Sequence, residues 1–399
     1  MKKRVVVTGI GAVTPLGADF EKSWEAVKQG RPGIGACVRD LGGRATLAAG
    51  QVDGSYDPCL CLSSKEVRRA DPFVWYAVCA ATMASQDAFA GKKWQGGPCA
   101  VIIGTSRGGI TRLEEAALKG RYSAYLMPGS QSGAAAAYVA RKLGMTGRAL
   151  GISSACASGM QAVGEGFTYI KNGLEAMCLC GGAEAPLTRF CVEAYGRAGA
   201  LSKAAPPWAS RPFDRRRDGF VLAEGACVLA LEELDHAIAR GARIYGEICG
   251  YGFGMDAFHD ARPDPRGQAR AIGMAMKEAG LDASGVGLLF AHATGTRLGD
   301  RAEEEAIKAA LGARAAADVP VFAAKALTGH MFAASGPFEA ALALMCIREG
   351  VLPGNPNIKD RDSSLNLPAR TVSAAVSSAL ANSFGLGGFN ASLAIRPVS

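Results

Sequence analysis

The 399-residue sequence has no run of 18 or more apolar residues, so it offers no membrane-spanning helix. It begins Met1-Lys2-Lys3-Arg4-Val5, where the apolar stretch after the charges is too short for a secretory segment and reads as a first strand. A cytoplasmic location is the expectation. No C-x-x-C pair occurs among the 12 cysteines, which come no closer than the C-x-C spacings of Cys59/Cys61 and Cys178/Cys180. The paired-ligand pattern of a zinc site is therefore missing, and a reducing compartment argues against disulfides, so neither is expected. Charged residues make up only 20% of the chain, and its net charge of +8 is dispersed rather than gathered into a stripe. No nucleic-acid surface is expected. So thin a supply of charge also leaves apolar surface to be hidden, as at a subunit interface. Histidine is scarce: four residues, at 236, 259, 292 and 330.

What is abundant is apolar. Hydrophobic residues make up 49% of the chain, and 52 glycines lie among Val/Ile/Leu runs, where they permit close backbone packing and tight turns. Strand and helix signals alternate. Lys3 to Thr8 reads as a buried strand, and Asp19 as the N-cap of an amphipathic helix that runs to Gln29 and stops at Gly30. Strands are expected at 100–103, 149–153, 177–179 and 227–231. From about residue 243 the pattern restarts with strand 244–249, helix 268–279, strand 287–290, helix 301–311, strand 319–323, helix 337–349 and a hairpin-like end at 391–396. Two α/β halves, 1–243 and 244–399, without a linker imply an internal duplication packed as one unit.

Four segments carry chemistry. In Ser153-Ser-Ala-Cys-Ala-Ser-Gly159 a strand ends and a helix begins, with Met160, Val163, Phe167 and Ile170 on one stripe. Cys156 thus falls near a helix N-terminus, where free N–H groups and the macrodipole favour a thiolate over the ordinary thiol pKa of about 8.5 and can hold an oxyanion. This local context fits a nucleophile and a small buried hydrophobe equally well. His292 follows the apolar run Leu288-Leu-Phe-Ala291 and precedes Thr294-Gly-Thr296; His330 ends Lys325-Ala-Leu-Thr-Gly-His330. Both lie beyond strand ends, where α/β sheets present ligands. One such histidine suits a structural role, but a cysteine with two of them suits a nucleophile with acid–base partners. The loop Asn382-Ser-Phe-Gly-Leu-Gly-Gly-Phe-Asn390 reads either as a turn or as backbone N–H groups brought to a ligand. Asp300 and Glu303 read locally as a capping pair that opens a helix. Lys65, Arg68 and Arg69, at i, i+3 and i+4, share one helix face.

Taken together, these segments resemble the β-ketoacyl-acyl carrier protein synthases of type II fatty-acid and polyketide systems, within the thiolase superfamily. The resemblance rests on the opening Val5-Val-Val-Thr-Gly-Ile-Gly-Ala-Val-Thr-Pro-Leu-Gly17 and the central Pro212-Phe-Asp-Arg-Arg-Arg-Asp-Gly-Phe-Val-Leu-Ala-Glu-Gly-Ala226. The Cys156, His292, Lys325/His330 and Asn382 segments follow in matching order, so it spans essentially the whole chain. It implies a thiolase fold with a layered αβαβα core. Cys156 would take an acyl group from a carrier-protein thioester. His292 and His330 would promote decarboxylation of the malonyl thioester and stabilise the enolate. The backbone N–H groups of Cys156 and Phe384 would form an oxyanion hole, and Phe384 would gate the pocket. Lys325 would hold the electrostatic network, paired with Glu303. Thr294 and Thr296 would bind the phosphopantetheine arm, which arrives on the carrier protein, so no cofactor of its own is implied. Lys65, Arg68 and Arg69 would face the acidic carrier protein near the pocket entrance. The chain would form a homodimer or a heterodimer with a related subunit.

The departures from that pattern concern substrate more than chemistry. Ala293 follows His292 where glycine is commoner, and Leu386 and Phe389 replace Phe and Thr in the C-terminal loop. Arg107, in Gly104-Thr-Ser-Arg-Gly-Gly109, falls where these enzymes place a small or aliphatic pocket residue. It points to short acyl groups or chains bearing polar atoms. Competing readings fare worse. Gly9-x-Gly11 with Gly17 misplaces the third glycine of a dinucleotide fingerprint and puts Pro15 inside the turn, against an NAD-dependent oxidoreductase. A chain-length factor would lack the nucleophile, and the paired histidines with the Lys325 segment argue against a degradative thiolase.

Overall fold

The computed structural model describes residues 2–39, 41, 47–52, 54–91 and 98–398. Two sets of five strands carry the architecture. The first comprises β1 (Val5–Val13), β2 (Ala100–Gly104), β3 (Ala149–Ile152), β4 (Met177–Glu184) and β5 (Gly225–Glu233). The second comprises β6 (Gly246–Met255), β7 (Leu288–Phe290), β8 (Val321–Phe322), β9 (Ala379–Gly385) and β10 (Phe389–Arg396). Their spatial orders, β1-β5-β4-β2-β3 and β6-β10-β9-β7-β8, are the same arrangement repeated. In each set the last strand runs antiparallel to both neighbours, and the three strands beyond it, which reach the sheet edge, are parallel. Val5–Val7 pair with Gly246–Ile248 and join the two sheets edge to edge.

Five helices complete the layers: α1 (Pro72–Ala88), α2 (Ser158–Lys171), α3 (Pro265–Ala279), α4 (Arg297–Leu311) and α5 (Ser335–Glu349). α1 covers the outer face of the first sheet, and α3 that of the second. α2 and α5 lie between the sheets: α2 packs on β2 and β4 but also touches β6 and β10, and α5 packs on β9 and β10 but also touches β5. This is the αβαβα sandwich of the thiolase fold.

Position in the layers explains which helices the residue pattern reveals. The amphipathic helix Phe20–Lys28 is N-capped by Asp19, as its pattern indicates. α1 is buried on nearly every side, so its apolar residues show no stripe and the pattern misses it, although Asp71 caps it with Pro72 in its first turn. Boundaries shift for a similar reason. Helix 301–311 begins at Arg297 under a Thr296 cap, so Asp300 and Glu303 do not open it. Among the described residues no helix is long and apolar enough to cross a membrane.

The two halves meet most tightly where a turn of the second rests on the first. A Cβ built on Gly159, in the first turn of α2, would lie 1.9 Å from the carbonyl oxygen of Ala333; one on Gly182, at the end of β4, would lie 2.1 Å from the same oxygen. Only glycine admits that approach. Gly159→Ala is expected to cost about 3 kcal/mol or more, read as a drop in unfolding midpoint, whereas Gly273→Ala in α3, whose Cβ would meet nothing within 4 Å, should leave it unchanged or higher. A Gly159→Ala midpoint equal to wild type would show that this contact is not obligatory.

Candidate active site

Cys156 sits in a sharp elbow between β3 and α2. Ala155 adopts φ +50, a left-handed conformation that costs an L-residue energy. The Ser158 hydroxyl locks the elbow by accepting from the Ser154 N–H at 2.9 Å and donating to the Ala155 carbonyl at 2.5 Å. The sulfur is 3.1 Å from His330 Nε2 and also receives the backbone N–H of Leu386. Burial pushes the thiol up to about 11, against the opposing pull of that N–H and of the Lys325 and Arg107 charges. The helix-terminus expectation of a depressed thiol is thereby overturned: removing the sulfur from water outweighs the N–H groups. At neutral pH the thiol keeps its proton and needs a base, and His330 is in contact with it.

His330 is fixed through its backbone. Its N–H donates to the Val221 carbonyl at 2.7 Å, and its carbonyl accepts from Ala223 N–H at 3.1 Å. The segment 212–226 therefore acts as a rail for this histidine. The ring stacks on Phe332 at 4.6 Å and meets the edge of Phe220 at 5.6 Å. The His292 ring lies T-shaped to His330, with centroids 5.4 Å apart. Glu303 holds its backbone by accepting from His292 N–H at 2.7 Å and Ala293 N–H at 2.6 Å. Ala293 adopts φ +31, a strained setting for which glycine is better suited. Burial drives both imidazoles well below their ordinary pKa, with the Lys325 charge pushing the same way, so both are neutral near pH 7. Each then offers one N–H donor and one acceptor, and His292 Nδ1 is buried without a partner.

Lys325 is buried and donates to Glu339 Oε1 of α5 at 2.7 Å. This corrects the expected pairing with Glu303, whose oxygens are taken by backbone N–H groups. Burial pushes both Glu303 and Glu339 up to about 7. Asp300 accepts from Phe213 N–H at 2.9 Å and Gly295 N–H at 3.0 Å and lies 3.3 Å from Arg217, tying the 212–226 rail to the His292 loop. Ligand atoms of Cys156, His292 and His330 lie within 4.8 Å of one another, a spacing a soft divalent ion could bridge. The protonated thiol and the Lys325 charge acting on both rings favour proton transfer within the trio over cation binding.

The profile of the beta-ketoacyl synthase N-terminal domain matches residues 2–237, and that of the C-terminal domain residues 245–359. The chain belongs to the β-ketoacyl synthase family. It is 40% identical to the 3-oxoacyl-[acyl-carrier-protein] synthase 2 of Synechocystis over 99% of its length and 98% of the relative's. The Vibrio harveyi enzyme of the same name is 35% identical, covering 100% and 99%. Among solved structures, the ishigamide ketosynthase/chain length factor superposes with TM-score 0.92 at 32% identity over the whole of both chains. A type II polyketide ketosynthase, bound to a hexaketide and in complex with its acyl-carrier protein, gives TM-score 0.89 at 30% identity, again over both whole chains.

Other expected residues of the family site fall less uniformly. Phe384 is buried, paired across the ladder with Asn390, and sets its ring 5.9 Å from His292. The amide at the sulfur belongs to Leu386, two residues on, where the loop leaves the ladder, and Leu386 also carries the exposed side chain. The N–H that meets the sulfur is thus that of Leu386 and not that of Phe384. Thr294 and Thr296 hydroxyls lie 3.0 Å apart, and the Thr296 oxygen also caps α4. Lys65, Arg68 and Arg69 do lie on a helix, Ser64–Arg69, with the Arg69 guanidinium over the Tyr125 ring at 4.0 Å. Arg107 reaches Tyr195. His236 pairs with Glu232 and His259 accepts from the N–H groups of Ala261 and Arg262, so neither joins the trio. The sequence reading missed Glu339, although a lone acid within Pro337-Phe-Glu-Ala-Ala-Leu-Ala-Leu344 signals a buried partner.

Two outcomes check this geometry. Iodoacetamide labelling of Cys156, followed by mass spectrometry, should rise roughly tenfold per pH unit through neutrality without levelling below about pH 10; a plateau near pH 7 would reveal a stabilised thiolate. Glu339→Gln strands the Lys325 ammonium in the core and should cost about 3–5 kcal/mol in denaturant unfolding. Full stability in that variant would mean that Lys325 finds another partner.

Proposed function

We propose that the chain catalyses decarboxylative Claisen condensation, joining an acyl group held on Cys156 to the two-carbon unit of malonyl-acyl carrier protein. The contact between Cys156 Sγ and His330 Nε2 at 3.1 Å, with His292 facing the same ring, carries this reading. In the first half-reaction the thiol proton passes to His330 as the sulfur attacks the acyl thioester carbon, and the carrier's thiol leaves. The Leu386 N–H, with the Cys156 amide at the open start of α2, would hold the transient oxyanion. In the second, neutral imidazoles of His292 and His330 donate to the malonyl thioester oxygen. Carbon dioxide departs, the bond electrons form an enolate, and its carbon attacks the acyl-Cys156 carbonyl and releases the thiol.

The partner is an acyl carrier protein, which brings the phosphopantetheine arm to the Thr294 and Thr296 hydroxyls; exposed Lys65 and Arg68 supply positive charge for an acidic surface. Metal or cofactor of its own has no part in this reading. A paired assembly, with an identical or related subunit, would cover the open sheet edge at β3, where Ala149 and Gly151 are exposed. Free thiols at all 12 cysteines suit a cytoplasmic setting.

The two half-reactions separate the roles. Incubation with an acyl-carrier thioester should place the acyl mass on Cys156; labelling of a different cysteine would end the proposal. His292→Ala should slow malonyl decarboxylation by about 10²–10⁴-fold while leaving Cys156 acylation largely intact. His330→Ala should slow both, because the thiol loses its base. Undiminished carbon dioxide release from both variants would refute the histidine assignment.

A further inference from the structure

Arg107 follows β2 in a loop that Glu184 fixes from the end of β4. The buried Glu184 carboxylate accepts from Thr105 Oγ1 at 2.7 Å, Ser106 N–H at 2.8 Å, Ser106 Oγ at 2.6 Å and Arg107 N–H at 3.0 Å. Four donors occupy it, so it is not free to pair with the Arg107 side chain. That side chain donates one hydrogen bond, to the neutral Tyr195 hydroxyl, and lies over two rings: Tyr195 at 5.5 Å and Phe332 at 5.8 Å. Among the described residues no carboxylate forms an ion pair with it. A guanidinium has five N–H donors and cannot shed its charge, so four donors here are left to water or to a ligand.

Arg107 is exposed beside the reactive trio, and its neighbours decide which ligand. Phe332 is the ring on which His330 stacks, and His330 touches Cys156. The charge of Arg107 acts on both reactive groups. Cys156 and Tyr195 both pack against the buried cluster that contains Leu187, Val192, Leu201, Phe220 and Phe332. An acyl chain that left the sulfur towards Phe332 would approach the guanidinium. A saturated chain would strip its water and return no acceptor, an unfavourable exchange for a fixed charge. A chain oxygen would replace that water.

We propose that Arg107 is a specificity residue that selects acyl groups carrying an acceptor oxygen along the chain, with Tyr195 as its positioning residue. This rests on the condensing reading of Cys156 and adds the substrate class to it. The test uses three carrier-protein thioesters of equal length: a saturated six-carbon acyl, the same chain with a ketone at its penultimate carbon, and the same chain ending in a carboxylate. Rates of acyl-Cys156 formation are read by intact mass, and the ratios are compared within each protein. Wild type should favour an oxygenated chain over the saturated one by roughly ten- to a hundredfold, the size of a hydrogen bond to a charged group. Arg107→Leu should abolish or reverse the ratio, and Tyr195→Phe should reduce it in part, with folding of both variants checked by thermal unfolding. A ketone preferred over the carboxylate identifies hydrogen bonding as the selector; the reverse identifies ion pairing, and either supports the proposal. Equal rates for all three chains in wild type, or an unchanged ratio in Arg107→Leu, would overturn it while leaving the condensing activity standing. Failure of every thioester to acylate Cys156 would instead overturn the activity, and this inference with it.

Discussion

The contact of the Ala333 carbonyl with Gly159 and Gly182 is the constraint on which the site depends. It seats the turn that follows His330 directly on the first turn of the helix that follows Cys156. A single methyl at either glycine would separate the two halves by more than the site can absorb, because sulfur and imidazole must stay within hydrogen-bonding range across that seam. The remaining architecture serves the same approach. The central helices α2 and α5 touch strands of both halves, and the rail at Val221 and Ala223 fixes His330 by its backbone, leaving the ring free for chemistry.

The second theme is a reactive centre kept neutral. Burial raises the thiol and lowers both imidazoles, so at neutral pH Cys156, His292 and His330 all stand uncharged. The charges are displaced to the surroundings. Lys325 is neutralised by Glu339, and Glu303 is absorbed by backbone N–H groups. A neutral thiol beside a neutral imidazole transfers its proton when the electrophile arrives, and a neutral imidazole can donate to an oxygen on which negative charge builds. The arrangement spares the protein the cost of an unpaired buried ion between turnovers.

Strain gathers at the same places. Ala155 precedes Cys156, Ala293 follows His292, and Phe332 lies two residues beyond His330, all at positive φ. Each reverses the chain just where a reactive side chain must face the cavity, and the surrounding hydrogen bonds hold it there. The Ser158 hydroxyl does so for the first and Glu303 for the second.

By itself the sequence determined the kind of protein this is. Alternating strand and helix signals that restart near residue 243 give two α/β halves, and a cysteine with two strand-end histidines suits a nucleophile with acid–base partners. The resemblance to the ketoacyl synthases, carried by short motifs in matching order, implies the rest. Tertiary structure alone decided the rest, for reasons of distance. Lys325 and Glu339 are 14 positions apart, on separate elements, and the choice of Glu339 over Glu303 follows from which carboxylate the backbone N–H groups had already taken. Leu386 rather than Phe384 meets the sulfur because the glycine turn departs from the strand ladder after Gly385. α1 escaped notice because burial on nearly every face erases the stripe by which helices are found. The thiol's high pKa was decided in the same way: a helix terminus is visible in sequence, but the packing that withdraws the sulfur from water exists only once both halves have closed around it.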